Sequence, residues 1–175
     1  MARFDAYNSE CFVFSFKEGL LAPLAHDLKL RVERFSIETD DTTHEIRATF
    51  DPSSIEVVCA QVDGRDDSST LSQNDKKKIH ENAVKDVLRV RKHPEIRFDS
   101  THVVPRGQGF AVEGTLQIHG KSRSIQASIR ADGDRWVTEV RIHQPDFGIK
   151  PYSAALGTLK VKPDVLVRVS VPKQS

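Results

Sequence analysis

Phe110–Ile129 reads FAVEGTLQIHGKSRSIQASI, and this stretch decides the fold. Phe110, Val112, Leu116 and Ile118 fall in one phase, with Gly114 among them. Ala111, Glu113, Thr115, Gln117 and His119 fall in the other. A repeat of two is that of a half-buried strand. Gly120 and the polar Lys121–Ser124 are expected to reverse the chain. Ile125, Ala127 and Ile129 then alternate with Gln126, Ser128 and Arg130. Two strands cannot cover the apolar face they create. Other protein, or a ligand, must do so.

The same period recurs on both sides. Downstream, Asp-Gly in Ala131–Arg135 marks a turn. Trp136, Thr138, Val140 and Ile142 then alternate with Val137, Glu139, Arg141 and His143. Pro145 closes that strand. Lys150–Lys160 is mixed, with a short helical turn expected around Ser153–Leu156. The last strand, Asp164–Lys173, has Val165, Val167, Val169 and Val171 on one face.

Upstream, Pro105–Gly109 reads as a turn, and Ile96 and Phe98 mark a strand in Glu95–His102. Nearer the start, Phe12, Phe14 and Phe16 share one face of Glu10–Lys17, against Cys11, Val13 and Ser15. Gly19–Pro23 breaks the strand. Leu28, Leu30 and Val32 alternate next, but Phe35 and Ile37 are apolar in the opposite phase. Such a slip marks a bulge, which bends a strand and helps a sheet close. Asp40–Thr43 is a polar turn before Ile46, Ala48 and Phe50, with Pro52 interrupting before Ile55 and Val57.

One segment has a different period. Ser72 with Asp75 has the form of a capping box. Ile79, Ala83, Val84, Val87 and Leu88 then recur at spacings of three and four, one face of a helix that Pro94 ends. The count is about eight strands, with this helix between the third and fourth. Consecutive strands joined by short turns are antiparallel neighbours. The expected fold is all-β: one domain over residues 1–175, an eight-stranded antiparallel up-and-down barrel, with a two-sheet sandwich as its rival.

Composition narrows the function. The 26 basic and 25 acidic residues leave a net charge of +1, without the basic excess of a nucleic-acid surface. No apolar run approaches the ~20 residues of a membrane span. The N-terminal MARFDAYNSECFVFSF lacks the apolar block of a signal peptide, so a cytoplasmic location is expected for the chain as given. Cys11 and Cys59 sit in no CxxC and near no His in sequence, and two reduced thiols are expected. The seven His residues form no HxH or HExxH. Asp146-Phe147-Gly148 has the letters of a kinase magnesium motif, but the lysine and catalytic-loop partners are missing; Ser170-x-x-Lys173 is likewise isolated. The expectation is a protein that is not an enzyme and has no metal or cofactor.

Several stretches together resemble the YceI-like domain family. They are Leu116-Gln-Ile-His-Gly120 with Lys121-Ser-Arg-Ser-Ile125, His93-Pro-Glu-Ile-Arg-Phe-Asp-Ser100, Asp146-Phe-Gly-Ile149, and Glu18–Ala22 with Ala25-His-Asp-Leu28. His93 stands where the family has Tyr. The resemblance implies a lipocalin-like barrel with a helix against its mouth, binding a polyisoprenoid or similar amphiphilic lipid. The best-known members are exported, whereas the chain as given is expected to lack an export signal.

For such a ligand the expected lining is Phe12, Phe14, Phe16, Leu28, Leu30, Val32, Ile46, Ala48, Phe50, Phe98, Val112, Leu116 and Ile118, with Ala48 and Gly114 leaving room. His26, Asp27, Arg31 or His80 would meet a polar head. For any one of these residues, plain core packing explains the pattern as well. The second reading is an interaction or stress-related module with a filled interior. Two copies would pair there through an exposed face near Trp136, Val137 and Leu166.

Overall fold

The computed structural model describes residues 1–18, 25–154 and 159–174. The strand break at Gly19–Pro23, the Glu18–Ala22 motif beyond Glu18, and the second half of the helical turn expected around Ser153–Leu156 lie outside them. Ser153–Ala154 itself is strand, not helix.

In chain order the strands are β1 (Ala2–Asp5), β2 (Glu10–Ser15), β3 (Lys17–Glu18), β4 (Asp27–Val32), β5 (Phe35–Thr39), β6 (Ile46–Phe50), β7 (Ile55–Val62) and β8 (Arg65–Asp67). After helix α1 (Gln73–Asn82) come β9 (Ile96–Arg106), β10 (Gly109–Ile118), β11 (Lys121–Asp132), β12 (Arg135–His143), β13 (Ser153–Ala154), β14 (Leu159–Val161) and β15 (Asp164–Pro172). Twelve strands form one curled antiparallel sheet in the order β1-β5-β6-β9-β10-β11-β12-β15-β2-β4-β7-β8, and β13-β14-β3 form a small second sheet.

Twelve differs from the expected eight because β1 and β8 lie in stretches that do not read as strands, and two segments that read as single strands are each broken. Residues 6–9 separate β1 from β2, and Glu33–Arg34 separate β4 from β5. A 3-10 turn at Pro52–Ser54 separates β6 from β7. The phase slip at Phe35 is thus a break in the ladder, although a register shift does occur nearby, between Lys29 and Leu30. The two later breaks lie side by side. Glu33 N donates to Ser54 O at 3.2 Å, and Arg34 N to Ser54 Oγ at 2.9 Å. Together they make the corner at which the sheet folds over. Across it, Phe4, Phe35, Ile37 and Ala48 meet Cys11 and Val32 in one core cluster.

The central hairpin pairs Phe110 with Ile129 and Ile118 with Lys121. Its turn is tighter than expected. His119 (φ 55°) and Gly120 (φ 73°) make the reversal alone, and Lys121–Ser124 are already strand. Positive φ at both positions is the type I′ geometry that suits strand twist. On the neighbouring ladder, β10 shifts register against β9 between Glu113 and Gly114.

Helix α1 starts as the sequence predicts: Ser72 Oγ accepts from Asp75 N at 3.1 Å, and Asp75 Oδ2 accepts from Ser72 N at 2.9 Å. It runs into a π-helical turn at Ala83–Val87. The apolar stripe divides between two clusters. Ile79, Ala83 and Val84 pack on Leu30, Val57 and Ala60, while Val87 and Leu88 pack beside Leu116, Ile118, Phe147 and Ile149. Asp146-Phe147-Gly148-Ile149 is structural here. Gly148 (φ 68°) ends a 3-10 turn, and Phe147 and Ile149 are buried in that last cluster. Among the described residues, no helix is long and apolar enough to cross a membrane.

Candidate functional site

The curl of the sheet encloses a cavity of about 500 Å³. Its wall is built by the period-two faces. Val112, Leu116 and Ile118 come from β10, Ile125, Ala127 and Ile129 from β11, Val140 and Ile142 from β12, and Val167, Val169 and Val171 from β15. Val32, Ile37, Ile46, Ala48, Phe50, Ile96 and Phe98 complete the other side, with Ala2 and Phe4 from β1. Removing water from so continuous an apolar surface is favourable for any guest of matching shape.

The two ends differ. One is floored by protein, since Leu116, Ile118 and Ile142 pack against Phe147, Val87 and Leu88. The other is rimmed by Thr39, Asp40, Asp41, His44 and Gln174. Aromatic rings stand just inside the rim. Phe110 meets Trp136 edge-on at 5.5 Å and His44 at 5.8 Å, and Lys173 Nζ lies 4.9 Å from the Trp136 centroid. Asp40 Oδ1 accepts from the backbone N–H of Thr43 and of Thr42, both at 2.8 Å, and these bonds hold its carboxyl below the usual carboxylate range.

The expected lining divides cleanly. Val32, Ile46, Ala48, Phe50, Phe98, Val112, Leu116 and Ile118 all face the cavity. Phe12, Phe14, Phe16, Leu28 and Leu30 do not. On β2 the inward phase belongs to Cys11 and Val13. Phe12 and Phe14 lie on the outer face, their rings 6.5 Å apart, with Lys29 Nζ 4.5 Å over Phe12 and Leu166 opposite Phe14 in the ladder. Leu28 and Leu30 belong to the cluster beneath α1. Gly114 leaves no room for a ligand either: a Cβ there would come within 2.5 Å of Phe98 Cε2, so the Phe98 ring already fills that space.

The expected head-group residues also lie elsewhere. Asp27 Oδ1 accepts from Lys17 N at 2.8 Å, Arg31 Nε donates to Glu33 at 2.7 Å, and His80 Nδ1 is 2.6 Å from Ile55 O on the helix side. None of these, nor His26, lines the cavity. The pairing face expected near Trp136 is not free: Val137 is 2 % exposed, and Trp136 faces the cavity. Cys11 and Cys59 are both free thiols and both buried. Among the described residues no three His, Cys, Asp or Glu side chains gather as a metal site.

The polar contacts of the matched motifs are structural. Ser100 Oγ accepts from Ile46 N at 2.8 Å, tying β9 to the start of β6. The His93 and His119 rings lie 4.2 Å apart, tilted at 44°, at the hairpin turn.

The fold and the cavity define a class, an antiparallel β-protein curled around an apolar chamber. The chain belongs to the YceI-like domain family, which it matches over residues 13–172. Its fold is similar to that of BcnA from Burkholderia cenocepacia, with a TM-score of 0.63 and 16 % identity over 95 % of this chain and 96 % of that one. It is also similar to a YCEI protein from Campylobacter jejuni, with a TM-score of 0.51 and 15 % identity over 85 % and 86 % of the two chains. No curated protein matches the chain in sequence.

Proposed function

We propose that this protein is a non-catalytic carrier or sequestering protein for a polyisoprenoid or similar amphiphilic lipid. The tail lies in the cavity and the head at the rim of Thr39–His44. The observation that carries this reading is the 500 Å³ chamber, apolar along its walls and polar only around one end. On this reading β1 with β2, β4 with β5 and β6 with β7 count as three strands bent at the corner, and with β9, β10, β11, β12 and β15 they would make a barrel of the size that suits one small ligand.

Burying a methylene is worth about 0.8 kcal/mol. A tail of ten such groups therefore gains roughly 8 kcal/mol before the costs of association are met. A module with a filled interior would need this chamber to be occupied by side chains. Native mass spectrometry of gently purified protein, followed by solvent extraction, tests the proposal. Retained lipid supports it. Protein that neither carries lipid nor takes up added farnesol refutes it.

A further inference from the structure

We propose that the His93–His119 pair is an acid latch on the floor of the chamber: neutral rings keep the floor seated, and protonation unseats it and loosens the hold on the guest. This inference rests on the carrier function above. Three elements meet at the pair. His119 begins the turn between β10 and β11, directly after Ile118 of the chamber wall. His93 ends the segment that follows α1, just beyond Val87 and Leu88 of the floor, and its N–H donates to Arg89 O at 3.1 Å. The third element is the 3-10 turn Gln144–Phe147. His119 bonds to the backbone of Phe147, whose side chain packs in the floor. The two rings are 4.2 Å apart, and His93 also covers Gly120, where a Cβ would come within 3.2 Å of its Cε1.

The pair is poorly placed to take up charge. The bond to Phe147 uses one ring nitrogen of His119 as donor, so an added proton goes to Nε2. That atom is buried and has no partner among the described residues. The new N–H would face protein with no acceptor, which is costly and more so for a charged group. The charges that bear on it have the same sign. They come from His93 and Arg89 on the helix tail and from Lys121 on β11, whose side chain lies against Gly148. The carboxylates of these elements, Asp86, Glu95 and Asp146, are exposed. Burial first, then those cations, hold the His119 pKa below its ordinary value. The floor is therefore seated near neutrality and gives way below about pH 6.5.

The floor segment is built to yield. Helix α1 has no buried residue, and its π-helical extension Ala83–Val87 buries only Val84. Arg89 holds φ 48°, a left-handed conformation that costs a non-glycine residue energy. Segments with few buried contacts are the first to open.

The test follows farnesol binding to the full chain at pH 7.5 and pH 5, through the fluorescence of Trp136, the single Trp, which faces the chamber. Wild-type affinity is expected to fall at least about tenfold in acid. Exchange protection of the Val90 and Ile149 amides, bonded to Val84 O and Gln144 O, is expected to fall with it. His119→Asn keeps a side chain that tolerates positive φ, and His93→Tyr keeps a ring, but neither takes a proton in this range. Each is expected to cut the fall to less than about threefold, and either decides the matter if the other does not fold. An undiminished fall in the folded variants moves the sensitivity elsewhere, to His44 at the rim first, and overturns the latch. Equal wild-type affinity at the two pH values overturns it as well, and both results leave the carrier reading standing. Wild-type protein that binds no farnesol at pH 7.5 overturns both.

Discussion

Arg34 and Asp51 hold each other twice. Arg34 Nε donates to Asp51 Oδ2 at 2.9 Å, and Asp51 N donates to Arg34 O at 3.0 Å. The first bond joins side chains and the second joins backbones. They sit where two ladders break together, so the sheet can fold over without losing its alignment. Asp51 also receives Ser53 N at 2.9 Å as the cap of its own 3-10 turn.

Replacing Asp51 by Ala should therefore cost about 1–2 kcal/mol, the loss of a cap and a charge-assisted bond. Burial works against the ionised Asp51 carboxyl, but bonds from Ser53 and Arg34 outweigh it and lower its pKa. A lowered carboxyl contributes stability above its unfolded value near 4 and loses it as pH falls through the folded value. Urea unfolding at neutral and acid pH should show a smaller acid loss in Asp51→Ala than in the wild type. An equal loss would mean that the corner does not depend on this group.

Two apolar substitutions should separate the chamber from the outer face. Leu116→Asp places a carboxylate in the cavity wall and should abolish lipid retention. Phe14→Ser alters the outer face of β2 and should leave retention unchanged. Circular dichroism confirms that both are folded, and lipid content per folded protein decides. A loss in Phe14→Ser equal to that in Leu116→Asp would contradict the assignment of β2's inward face to Cys11 and Val13.

His119 should make stability fall in mild acid. Burial lowers its pKa most, the neighbouring His93 and Arg89 lower it further, and a hydrogen bond with the Phe147 backbone opposes them. Its Nε2 is buried without a partner among the described residues. The unfolded chain therefore takes up this proton first. The stability His119 supports is complete above about pH 6.5 and is lost as pH drops toward the folded value. In His119→Gln, denaturant midpoints should vary less between pH 7 and pH 5 than in the wild type.

Cys11 should be inert to thiol reagents in the folded protein. Burial alone pushes its pKa up to about 12, so little thiolate forms at neutral pH. Cys59 is also raised, with burial and the Asp66 charge as the causes. Both thiols should react with iodoacetamide only in denaturant. Rapid labelling of Cys11 in native protein would show that the chamber wall opens.

Most of this architecture was legible because period-two alternation reports which residues share a face. It does not report which face turns inward. On β10 the opposite phase was polar, so the sign was plain. On β2 both phases are apolar, and the aromatics outweighed Cys11 and Val13 although Phe12 and Phe14 lie on the outer face. The start of α1 was readable because Ser72 and Asp75 satisfy each other locally. The corner was not, since it depends on bonds between Glu33–Arg34 and Ser54, twenty residues apart in chain. The rim was missed for a related reason. Residues 39–44 read as an ordinary polar turn, and only the closed arrangement brings them beside Phe110 and Trp136. Alternation of turns between the two ends could have hinted at it, because 40–43, 105–109 and 131–135 all fall on the side away from the helix.

Among the described residues, Phe147, Val87 and Leu88 pack beneath Leu116 and Ile142, which leaves the polar rim as the way into the chamber. On the carrier reading, a guest goes in tail first and comes out head first. On that reading the surface that gives the guest up and the surface that takes it approach the same side of the molecule, so donor and acceptor are met in turn.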